Sequence, residues 1–407
     1  MNLTLNNARM SAVKPSATLG MAAKAKALVK QGVDVVNLSA GEPDFATPAC
    51  IVDAAREQLG KRSSHAYTAP RGSDDLLEAT AIKLKREQLT TYAPTELIAT
   101  VGTKGALMLA IDALVGPGDE VVMFAPYWVT YADLVRLAGG TPVVVQTTRE
   151  NNYRPSLADF EKAITPKTKL VILNSPNNPT GSGWPESLLR AILQRLVGTD
   201  VWVISDEIYE KLVYGDFKHV SPVSFSDDAK ARTIYVGGVA KAYAMTGWRV
   251  GIAAGPKLAI DAMLTLQSQR TTCATAIAQV AASYALRESA DVVAAVDEMR
   301  AAYTKRRTLI LERANALPGV FALPPDGAFY VFLDVNERLK GVTVDGKPAD
   351  DVWLANTLLE EAKVATVMGS AFEGHGCLRV SYAASEDAIN LGFDRLGDFF
   401  DKRLTRS

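Results

Sequence analysis

One lysine, Lys241, stands among small residues in the stretch VGGVAKAYAMTGWRVG (236–251), and an arginine, Arg249, follows eight positions later. A lysine amine can attack a carbonyl group and form a Schiff base. An arginine guanidinium can hold an anion such as phosphate through paired hydrogen bonds. A lone lysine is more often a solvated surface residue, so the pair is informative only if other reactive side chains converge on it.

Other polar and aromatic residues stand where short apolar runs of the sequence end. In open parallel sheets, ligands bind beyond the carboxyl ends of the strands, so residues at these positions are expected to meet at one edge. Five groups share this placement: Gly102-Thr103-Lys104, Pro126-Tyr127-Trp128, SPNNPTG (175–181) with Asn178, Asp206 with Tyr209, and Lys241.

The elements that must position these groups are strands buried on both faces. Each run holds four to six apolar residues, many of them β-branched, with little alternation. Helix-length segments separate most of the runs, which predicts a parallel sheet covered by helices. After about residue 285 the pattern changes to a smaller α+β part with a long helix near 291–317. The runs are 97–102, 120–126, 141–147, 169–176, 201–207, 233–238 and 249–255.

The converging groups match the needs of pyridoxal phosphate at its reactive end. Lys241 could form the Schiff base with the aldehyde. Asp206 could hold the proton of the pyridine nitrogen, which keeps the ring an electron sink. Asn178 and Tyr209 could donate hydrogen bonds to the 3′-oxygen. Lys241, Asp206 and Tyr209 are therefore the predicted catalytic residues.

The remaining groups suit the ring face and the phosphate of the same cofactor. Trp128 could stack on the ring. Backbone N–H groups of Gly102, Thr103 and Lys104 would lie at a helix start, where phosphate binds, and Arg249 would add a fixed cation.

Each of these residues also has an ordinary structural interpretation. Asp206 could cap a helix, Trp128 could be core, and NNPTG could be a plain turn. Lys104 could be a solvated lysine at a helix start. His65, His219 and His375 show no metal-ligand spacing, so no metal site is predicted.

The bulk composition is that of a soluble globular protein. The chain has 407 residues, 48% hydrophobic and 22% charged, with a formal net charge of −1. This charge argues against nucleic acid or an anionic membrane as a partner. The three cysteines, Cys50, Cys273 and Cys377, form no disulfide framework. No apolar stretch approaches the ~18 residues that span a bilayer, and no secretory signal is visible, so a cytoplasmic location is expected.

Ten short motifs, in order along nearly the whole chain, resemble those of the class I, fold type I aminotransferases. The resemblance is strongest to the bacterial-type branch with aspartate and aspartate/prephenate aminotransferases. Each motif alone is weak, but their joint order and spacing are specific. They are KPSAT (14–18), AGEPDFATP (40–48), YTAPRG (67–72), VGTKGA (101–106), PYWVTY (126–131), SPNNPTG (175–181), SDEIYE (205–210), KAYAMTGWRVG (241–251), GAFY (327–330) and LRVSYA (378–383).

The resemblance implies an α/β fold with a large pyridoxal phosphate-binding domain and a smaller α+β domain. The large domain would hold a mostly parallel seven-stranded sheet flanked by helices. We expect an N-terminal arm and part of the small domain at 1–45, the large domain at 46–288 and the small domain at 289–407. Tyr67 would reach the cofactor phosphate of a neighbouring subunit, which implies a homodimer with shared active sites.

The resemblance also assigns substrate contacts. Arg379 would clamp the substrate α-carboxylate, with the backbone N–H of Gly41 beside it, and Trp128 and Asn178 would also contact the substrate. Lys104, Lys14 and Thr18 match contacts to the distal carboxylate of aspartate or to prephenate. Without the resemblance, Arg379 would be interpreted as an exposed strand arginine, and Lys14 as part of a mobile terminus.

Three positions depart from the family pattern. Gly238 stands where serine is frequent, which would remove one hydroxyl contact to the phosphate. Gly105 replaces a glutamine that is common there. Arg270 lies where a small polar residue is expected, on a segment that faces the partner's site in relatives.

The implied activity is ping-pong transamination between aspartate or glutamate and a 2-oxo acid, 2-oxoglutarate or oxaloacetate, with prephenate as a further candidate. Lys241 would act as the general base. An aromatic or broad-specificity aminotransferase and a C–S β-lyase of the same fold are alternatives, since fold does not determine reaction. A regulatory pyridoxal phosphate sensor without turnover is a third.

Overall fold

A computed structural model describes residues 8–404 of the protein. Short two-residue strands accompany the longer ones, which match the apolar runs. The strands are β1 (Val36–Asn37), β2 (Leu97–Val101), β3 (Glu120–Ala125), β4 (Thr141–Gln146), β5 (Thr168–Asn174), β6 (Trp202–Asp206), β7 (Thr233–Gly238), β8 (Val250–Ala254), β9 (Phe321–Ala322), β10 (Tyr330–Asp334), β11 (Thr343–Val344), β12 (Lys347–Pro348), β13 (Val364–Ala365), β14 (Val367–Met368) and β15 (Cys377–Ser381).

Helices fill most of the intervals between the strands. They are α1 (Ala8–Ser11), α2 (Ala17–Lys30), α3 (Ala49–Gln58), α4 (Asp74–Gln88), α5 (Gly102–Leu114), α6 (Thr130–Ala138), α7 (Leu157–Ala163), α8 (Glu186–Leu196), α9 (Asp227–Arg232), α10 (Lys257–Arg270), α11 (Ala276–Arg287), α12 (Ala290–Asn315), α13 (Asn336–Leu339), α14 (Asp351–Thr357) and α15 (Glu386–Arg403). A π-helical turn, Leu358–Ala362, continues α14. Within residues 8–404, no helix is both long and apolar enough to cross a membrane.

Seven strands form the large sheet in the order β2-β8-β7-β6-β5-β3-β4. All neighbours from β7 to β4 pair in parallel. Only β8 runs antiparallel to both of its neighbours. The prediction of an α/β fold with a mostly parallel seven-stranded sheet is confirmed.

Both faces of this sheet are covered, which explains the unbroken apolar runs. Along β3, Met123 belongs to a core shared with α5 and α10, whereas Val122 and Phe124 belong to a core shared with α7 and α8. Successive side chains of a strand point to opposite faces, so a strand between two helix layers needs apolar residues at every position.

The reversal of β8 determines where Arg249 lies. The parallel strands place their carboxyl ends at one edge of the sheet. Because β8 runs the other way, its first residue, Val250, pairs with Val101 at the end of β2. Arg249, one residue earlier, therefore reaches the same edge as the ends of the parallel strands.

A second, antiparallel sheet has the order β14-β15-β10-β9. Helices α12 and α15 pack against one another beside it. The N-terminal strand β1 pairs with β13, so residues 36–37 join this C-terminal part of the chain. The division into domains at residues 45 and 288 stays a prediction.

Candidate active site

A cavity of about 540 Å³ opens at the edge where β2, β3, β5, β6 and β7 end. The second sheet closes it through Tyr330 and Arg379. The fold thus brings together side chains that are up to 363 positions apart, counted from Ser16 to Arg379. Eleven of the predicted site residues line it: Thr18, Gly41, Thr103, Lys104, Trp128, Asn178, Asp206, Tyr209, Lys241, Arg249 and Arg379.

Lys241 follows β7 and projects its amine into this cavity. The Nζ atom donates a hydrogen bond to the carbonyl oxygen of Gly41. Burial lowers the pKa of Lys241 to about 8, and the nearby positive charge of Arg379 contributes to the shift. A substantial fraction of the amine is therefore neutral near pH 8, which is the form that attacks a carbonyl or accepts a proton.

Asp206 ends β6 and is 3% exposed. Burial raises the pKa of its carboxyl to about 6, although two hydrogen bonds oppose the rise. Tyr131 donates to Oδ2 at 2.6 Å, and the backbone N–H of Ile208 donates to Oδ1 at 3.3 Å. The carboxylate is thus ionised at neutral pH and can pair with a protonated ring nitrogen.

Arg379 is a fully buried cation for which no carboxylate within residues 8–404 forms an ion pair. It is 2% exposed. Its guanidinium donates to Asn178 Oδ1 at 3.1 Å and to the Ser39 carbonyl at 2.9 Å, while Nε has no partner. An unpaired buried charge is costly, so this arrangement calls for an anionic ligand.

Asn178 is held between the sheet and this arginine. Its backbone N–H donates to Asn174 Oδ1 at 3.0 Å, and Asn174 Nδ2 donates to the Asp206 carbonyl at 3.0 Å. Since the side-chain oxygen of Asn178 accepts from Arg379, its nitrogen is the atom left to donate to a ligand. This orientation suits the predicted contact with a cofactor oxygen.

Tyr209 lies near Asp206 and shares a hydrogen bond with Tyr330. The two hydroxyl oxygens are 2.9 Å apart, and both rings are buried. The Tyr330 ring lies under the Arg379 guanidinium, with 4.4 Å between the guanidinium carbon and the ring centroid.

The opposite end of the cavity is built to hold an anion. Gly102, the first residue of α5, has a positive φ of 72°, and its N–H donates to the Arg249 carbonyl at 3.0 Å. A Cβ at Gly102 would overlap the Arg249 guanidinium, so glycine lets the cation lie directly over the helix N-terminus. Helix N-termini and guanidinium groups both favour phosphate.

Gly238, at the end of β7, has a steric reason to be glycine. A Cβ there would lie 2.8 Å from the Thr103 hydroxyl oxygen and 3.0 Å from the Val250 carbonyl. The Thr103 hydroxyl itself donates to the Gly237 carbonyl at 3.1 Å. A threonine hydroxyl on α5 thus fills space that a serine at 238 would need. At Gly105 the nearest neighbours of a Cβ would be 3.8 Å away, so no steric reason requires glycine there.

Lys104 lies over Trp128, with 4.8 Å between Nζ and the ring centroid. Burial and the charge of Arg249 lower the pKa of Lys104. Thr18, in the first turn of α2, lines the same cavity and shares a hydrogen bond with Ser16. A cation and a hydroxyl thus stand in the cavity in addition to Arg379.

Three predicted site residues do not line this cavity: Gly102, at the start of α5, Lys14 and Tyr67. Lys14 is exposed and does not contribute to its walls. Tyr67 is 85% exposed. Arg270, whose role was left open, pairs with Asp112 of its own chain. The predicted roles of Lys14 and Tyr67 stay predictions.

A second cluster of charged side chains lies behind β6. Ligand atoms of Glu207, Glu210 and His219 are within 4.8 Å of one another. They already have partners, since His219 Nε2 bonds Glu207 at 2.7 Å and the buried ammonium of Lys83 bonds Glu210. Although burial opposes it, the contact with Glu207 raises the pKa of His219. We interpret the cluster as a structural ion-pair network.

Sequence reasoning missed Tyr131, Tyr330 and Asn174 as site residues. Tyr131 and Tyr330 were inside the motifs PYWVTY and GAFY, so their neighbourhood was known but their partners were not. Asn174 is the last residue of β5, where its position after an apolar run was a usable signal.

Comparisons with known proteins agree with this geometry. A family model for aminotransferase class I and II matches residues 33–393. The aspartate/prephenate aminotransferase of Thermus thermophilus is 44% identical over 387 residues, covering 95% of this chain and 96% of that protein. The aspartate aminotransferase of Geobacillus stearothermophilus is 42% identical over 395 residues, covering 97% and 98%.

Solved structures show the same likeness in three dimensions. The Thermus thermophilus aspartate aminotransferase with maleate has a TM-score of 0.91 and 43% identity, covering 97% of this chain and all of that one. The aspartate aminotransferase from Rhizobium meliloti has a TM-score of 0.92 and 37% identity, covering 99% and 100%. The match spans the arm, the large sheet and the second sheet together, and the chain belongs to the class I and II aminotransferase family.

Proposed function

We propose that this aminotransferase uses pyridoxal phosphate to move an amino group between a dicarboxylic amino acid, aspartate or glutamate, and a 2-oxo acid. One observation supports this most directly: an amine that can be neutral, Lys241, and a buried cation with no ion-pair partner among residues 8–404, Arg379, face the same cavity. An α-amino acid offers a carboxylate that Arg379 can bind and a reactive α-carbon that would then lie close to Lys241. The acceptors to test are 2-oxoglutarate, oxaloacetate and prephenate.

The residues present fit pyridoxal phosphate at both of its ends. When bound, this cofactor supplies an aldehyde for the lysine and a ring that withdraws electrons from the substrate α-carbon. Asp206 would pair with the ring nitrogen, and Asn178 and Tyr209 would donate to the 3′-oxygen. Trp128 would stack on the ring. Arg249 would hold the phosphate together with the backbone N–H groups of Thr103 and Lys104, because the N–H of Gly102 is bonded to the Arg249 carbonyl.

The chain's own residues account for the proton transfers. Arg379 would orient the α-carboxylate, with the N–H of Gly41 beside it, so that the α-hydrogen faces Lys241. The Lys241 amine, with its pKa of about 8, can take that proton and would then deliver it to the C4′ carbon of the bound cofactor. Asp206 would stabilise the protonated ring nitrogen, because the hydrogen bond from Tyr131 favours the ionised form of its buried carboxyl.

The proposed preference for dicarboxylates rests on Lys104, a cation of the cavity in addition to Arg379. Lys104 stands over Trp128, and Thr18 adds a hydroxyl. A four-carbon diacid could place one carboxylate at Arg379 and the other near Lys104. The Thermus thermophilus relative was solved with maleate, a diacid of that size. Lys14 is proposed as a further contact.

The principal experiment measures single-turnover absorbance change of the cofactor-loaded protein with a panel of amino donors. We expect aspartate and glutamate to react faster than alanine or phenylalanine, and Lys241→Ala to abolish turnover while retaining the fold. Lys104→Ala should remove the preference for dicarboxylates. Lys162→Ala, which removes an exposed lysine paired with Asp159, is the matched control.

Two outcomes would refute the proposal. Turnover by Lys241→Ala near the wild-type rate would exclude the mechanism. Equal rates with aspartate, alanine and phenylalanine would exclude the dicarboxylate preference and favour a broad-specificity enzyme. Release of ammonia and pyruvate from a sulfur amino acid without an oxo-acid acceptor would instead indicate the C–S β-lyase.

We also propose that the enzyme works as a homodimer in which Tyr67 serves the partner's site. The exposure of this tyrosine, 85%, supports a role outside its own cavity. Mixed dimers of Tyr67→Ala and Lys241→Ala chains test this. Each hybrid dimer would contain one intact site, so about a quarter of wild-type activity should return at equal mixing. No recovery in verified hybrids would place Tyr67 in its own chain's site, and full activity of the Tyr67→Ala homodimer would exclude a role for it.

A further inference from the structure

Tyr330 contacts both Tyr209 and Arg379, two residues that line the cavity. Its hydroxyl is 2.9 Å from the Tyr209 hydroxyl, and its ring face lies 4.4 Å from the Arg379 guanidinium carbon. The side chain is fully buried. A Cβ at Gly41 would be 3.7 Å from the hydroxyl oxygen, so the backbone there is close on another side. Its position at the start of β10, paired with β15 beside Arg379, fixes the ring.

The direction of the hydrogen bond between the two tyrosines follows from counting protons. Each hydroxyl has one proton to donate. Within residues 8–404, each of these two hydroxyls has the other as its hydrogen-bond partner. If Tyr209 donates its proton to a ligand oxygen, only Tyr330 can donate between the two. Without a ligand, either direction satisfies the pair.

We propose that Tyr330 is a positioning residue: it donates to the Tyr209 oxygen and thereby commits the Tyr209 proton to the cofactor. It also connects this donor to the carboxylate clamp, because Arg379 lies on its ring. The inference rests on the proposed function, in which Tyr209 contacts the 3′-oxygen.

The chain of contacts strengthens the donor through polarisation. A hydroxyl that accepts a hydrogen bond becomes a better donor, by roughly 10–30% per bond. Burial raises the pKa of Tyr330, and the positive charge of Arg379 opposes that rise, which makes its proton easier to share. Binding of a substrate carboxylate neutralises Arg379 and weakens this effect. Binding of a carboxylate at Arg379 would thus weaken the hydrogen bond from Tyr209 to the 3′-oxygen of the cofactor.

The test uses the pH titration of visible absorbance in the cofactor-loaded protein. A donor to the 3′-oxygen would stabilise that oxygen's negative charge most when Lys241 Nζ, bonded to the cofactor, carries no proton. Tyr330→Phe should therefore raise the absorbance midpoint, by about 0.1–0.7 pH unit, if 10–30% of a charge-assisted hydrogen bond is lost. Tyr209→Phe should raise it further, and the double variant should match Tyr209→Phe alone.

A matched control removes another buried phenol hydroxyl. Tyr382 donates to the Ala328 carbonyl at 3.1 Å and has no hydrogen bond to Tyr209. Tyr382→Phe should leave the absorbance midpoint unchanged. In steady state, Tyr330→Phe should lower kcat and leave KM for aspartate within about twofold, because the ring under Arg379 remains.

The outcomes separate the two proposals. If Tyr330→Phe still shifts the absorbance midpoint when Tyr209 is already phenylalanine, Tyr330 does not act through Tyr209 and the proposal is overturned. A folded Tyr330→Phe variant with an unchanged midpoint would overturn it as well. A large rise in KM with unchanged kcat would also overturn it, since the hydroxyl would then act on the carboxylate. A wild-type protein that gains no visible chromophore with pyridoxal phosphate would refute the proposed function, and the Tyr330 proposal with it.

Discussion

Replacing Tyr131 by phenylalanine removes a single oxygen atom from the buried end of the cavity. That oxygen donates to Asp206 Oδ2 at 2.6 Å. Asp206 would keep only the bond from the Ile208 N–H, which is longer at 3.3 Å. The ring can stay in place, because it packs edge-on against Trp128 with centroids 5.5 Å apart.

The expected size of the effect follows from the strength of a hydrogen bond to a charged group. Such bonds contribute about 1.5–3 kcal/mol, which corresponds to roughly 1–2 pKa units. The pKa of Asp206, about 6 in the wild type, should therefore rise to roughly 7–8 in the variant. Below its pKa the carboxyl is neutral and cannot pair with a protonated ring nitrogen. Cofactor affinity should thus fall as pH drops through these values.

The assay is pyridoxal phosphate binding to the cofactor-free protein as a function of pH, followed by tryptophan fluorescence. At pH 7 the variant should bind roughly 2- to 10-fold more weakly than the wild type, and the difference should shrink above pH 8.5. The acid limb of the pH profile of kcat should shift to higher pH, together with the pH midpoint of cofactor binding.

Tyr243→Phe is the control for this experiment. It also loses a buried phenol–carboxylate hydrogen bond, to Glu288 at 2.7 Å, but its side chain does not line the cavity. It should cost stability without moving the binding midpoint. If Tyr131→Phe leaves the midpoint where it is in the wild type, the reasoning about Asp206 is refuted.

Three further predictions concern the clamp, the phosphate end and the ion-pair network. Arg379→Lys should raise KM for the amino donor at least about tenfold in steady-state kinetics, because an ammonium cannot make paired bonds to a carboxylate; an unchanged KM would contradict the clamp. Gly102→Ala should weaken pyridoxal phosphate affinity in equilibrium titrations, because the added methyl group would overlap the Arg249 guanidinium. Gly118→Ala, at another positive φ but with open space around it, should cost stability only. Lys83→Met should lower the free energy of unfolding by about 3–5 kcal/mol in chemical denaturation, because it leaves Glu210 buried without its cation, and adding Glu210→Gln should recover part of that loss.

The strands of the large sheet were readable from the sequence because both of their faces are buried. In runs such as 169–176 and 201–207, the strand residues are apolar on both faces. The first polar residue after such a run therefore marks the end of the strand. Asp206 is the last residue of β6, and Lys241 follows β7 by three positions. The positions of the reactive groups at the strand ends could therefore be predicted without any contact being known.

The direction of β8 could not be read in the same way. An apolar run looks alike whether its strand is parallel or antiparallel to its neighbours. The sequence put Arg249 at the start of such a run, far from the carboxyl ends if the strand were parallel. Only pairing with β2 and β7 shows that the start of β8 lies at the active edge.

By itself, the sequence determined the fold class, the positions of the buried strands along the chain and the identity of the amine, carboxylate and guanidinium groups. These are local properties, set by the burial of a segment and by the residue that ends it. The tertiary structure alone decided which groups touch: Tyr131 with Asp206 across 75 positions, and Tyr330 with Tyr209 across 121. It also showed that Arg379 is buried with no counter-ion among residues 8–404. The sequence gives an arginine its charge, but whether that charge has a partner depends on how every neighbouring element packs.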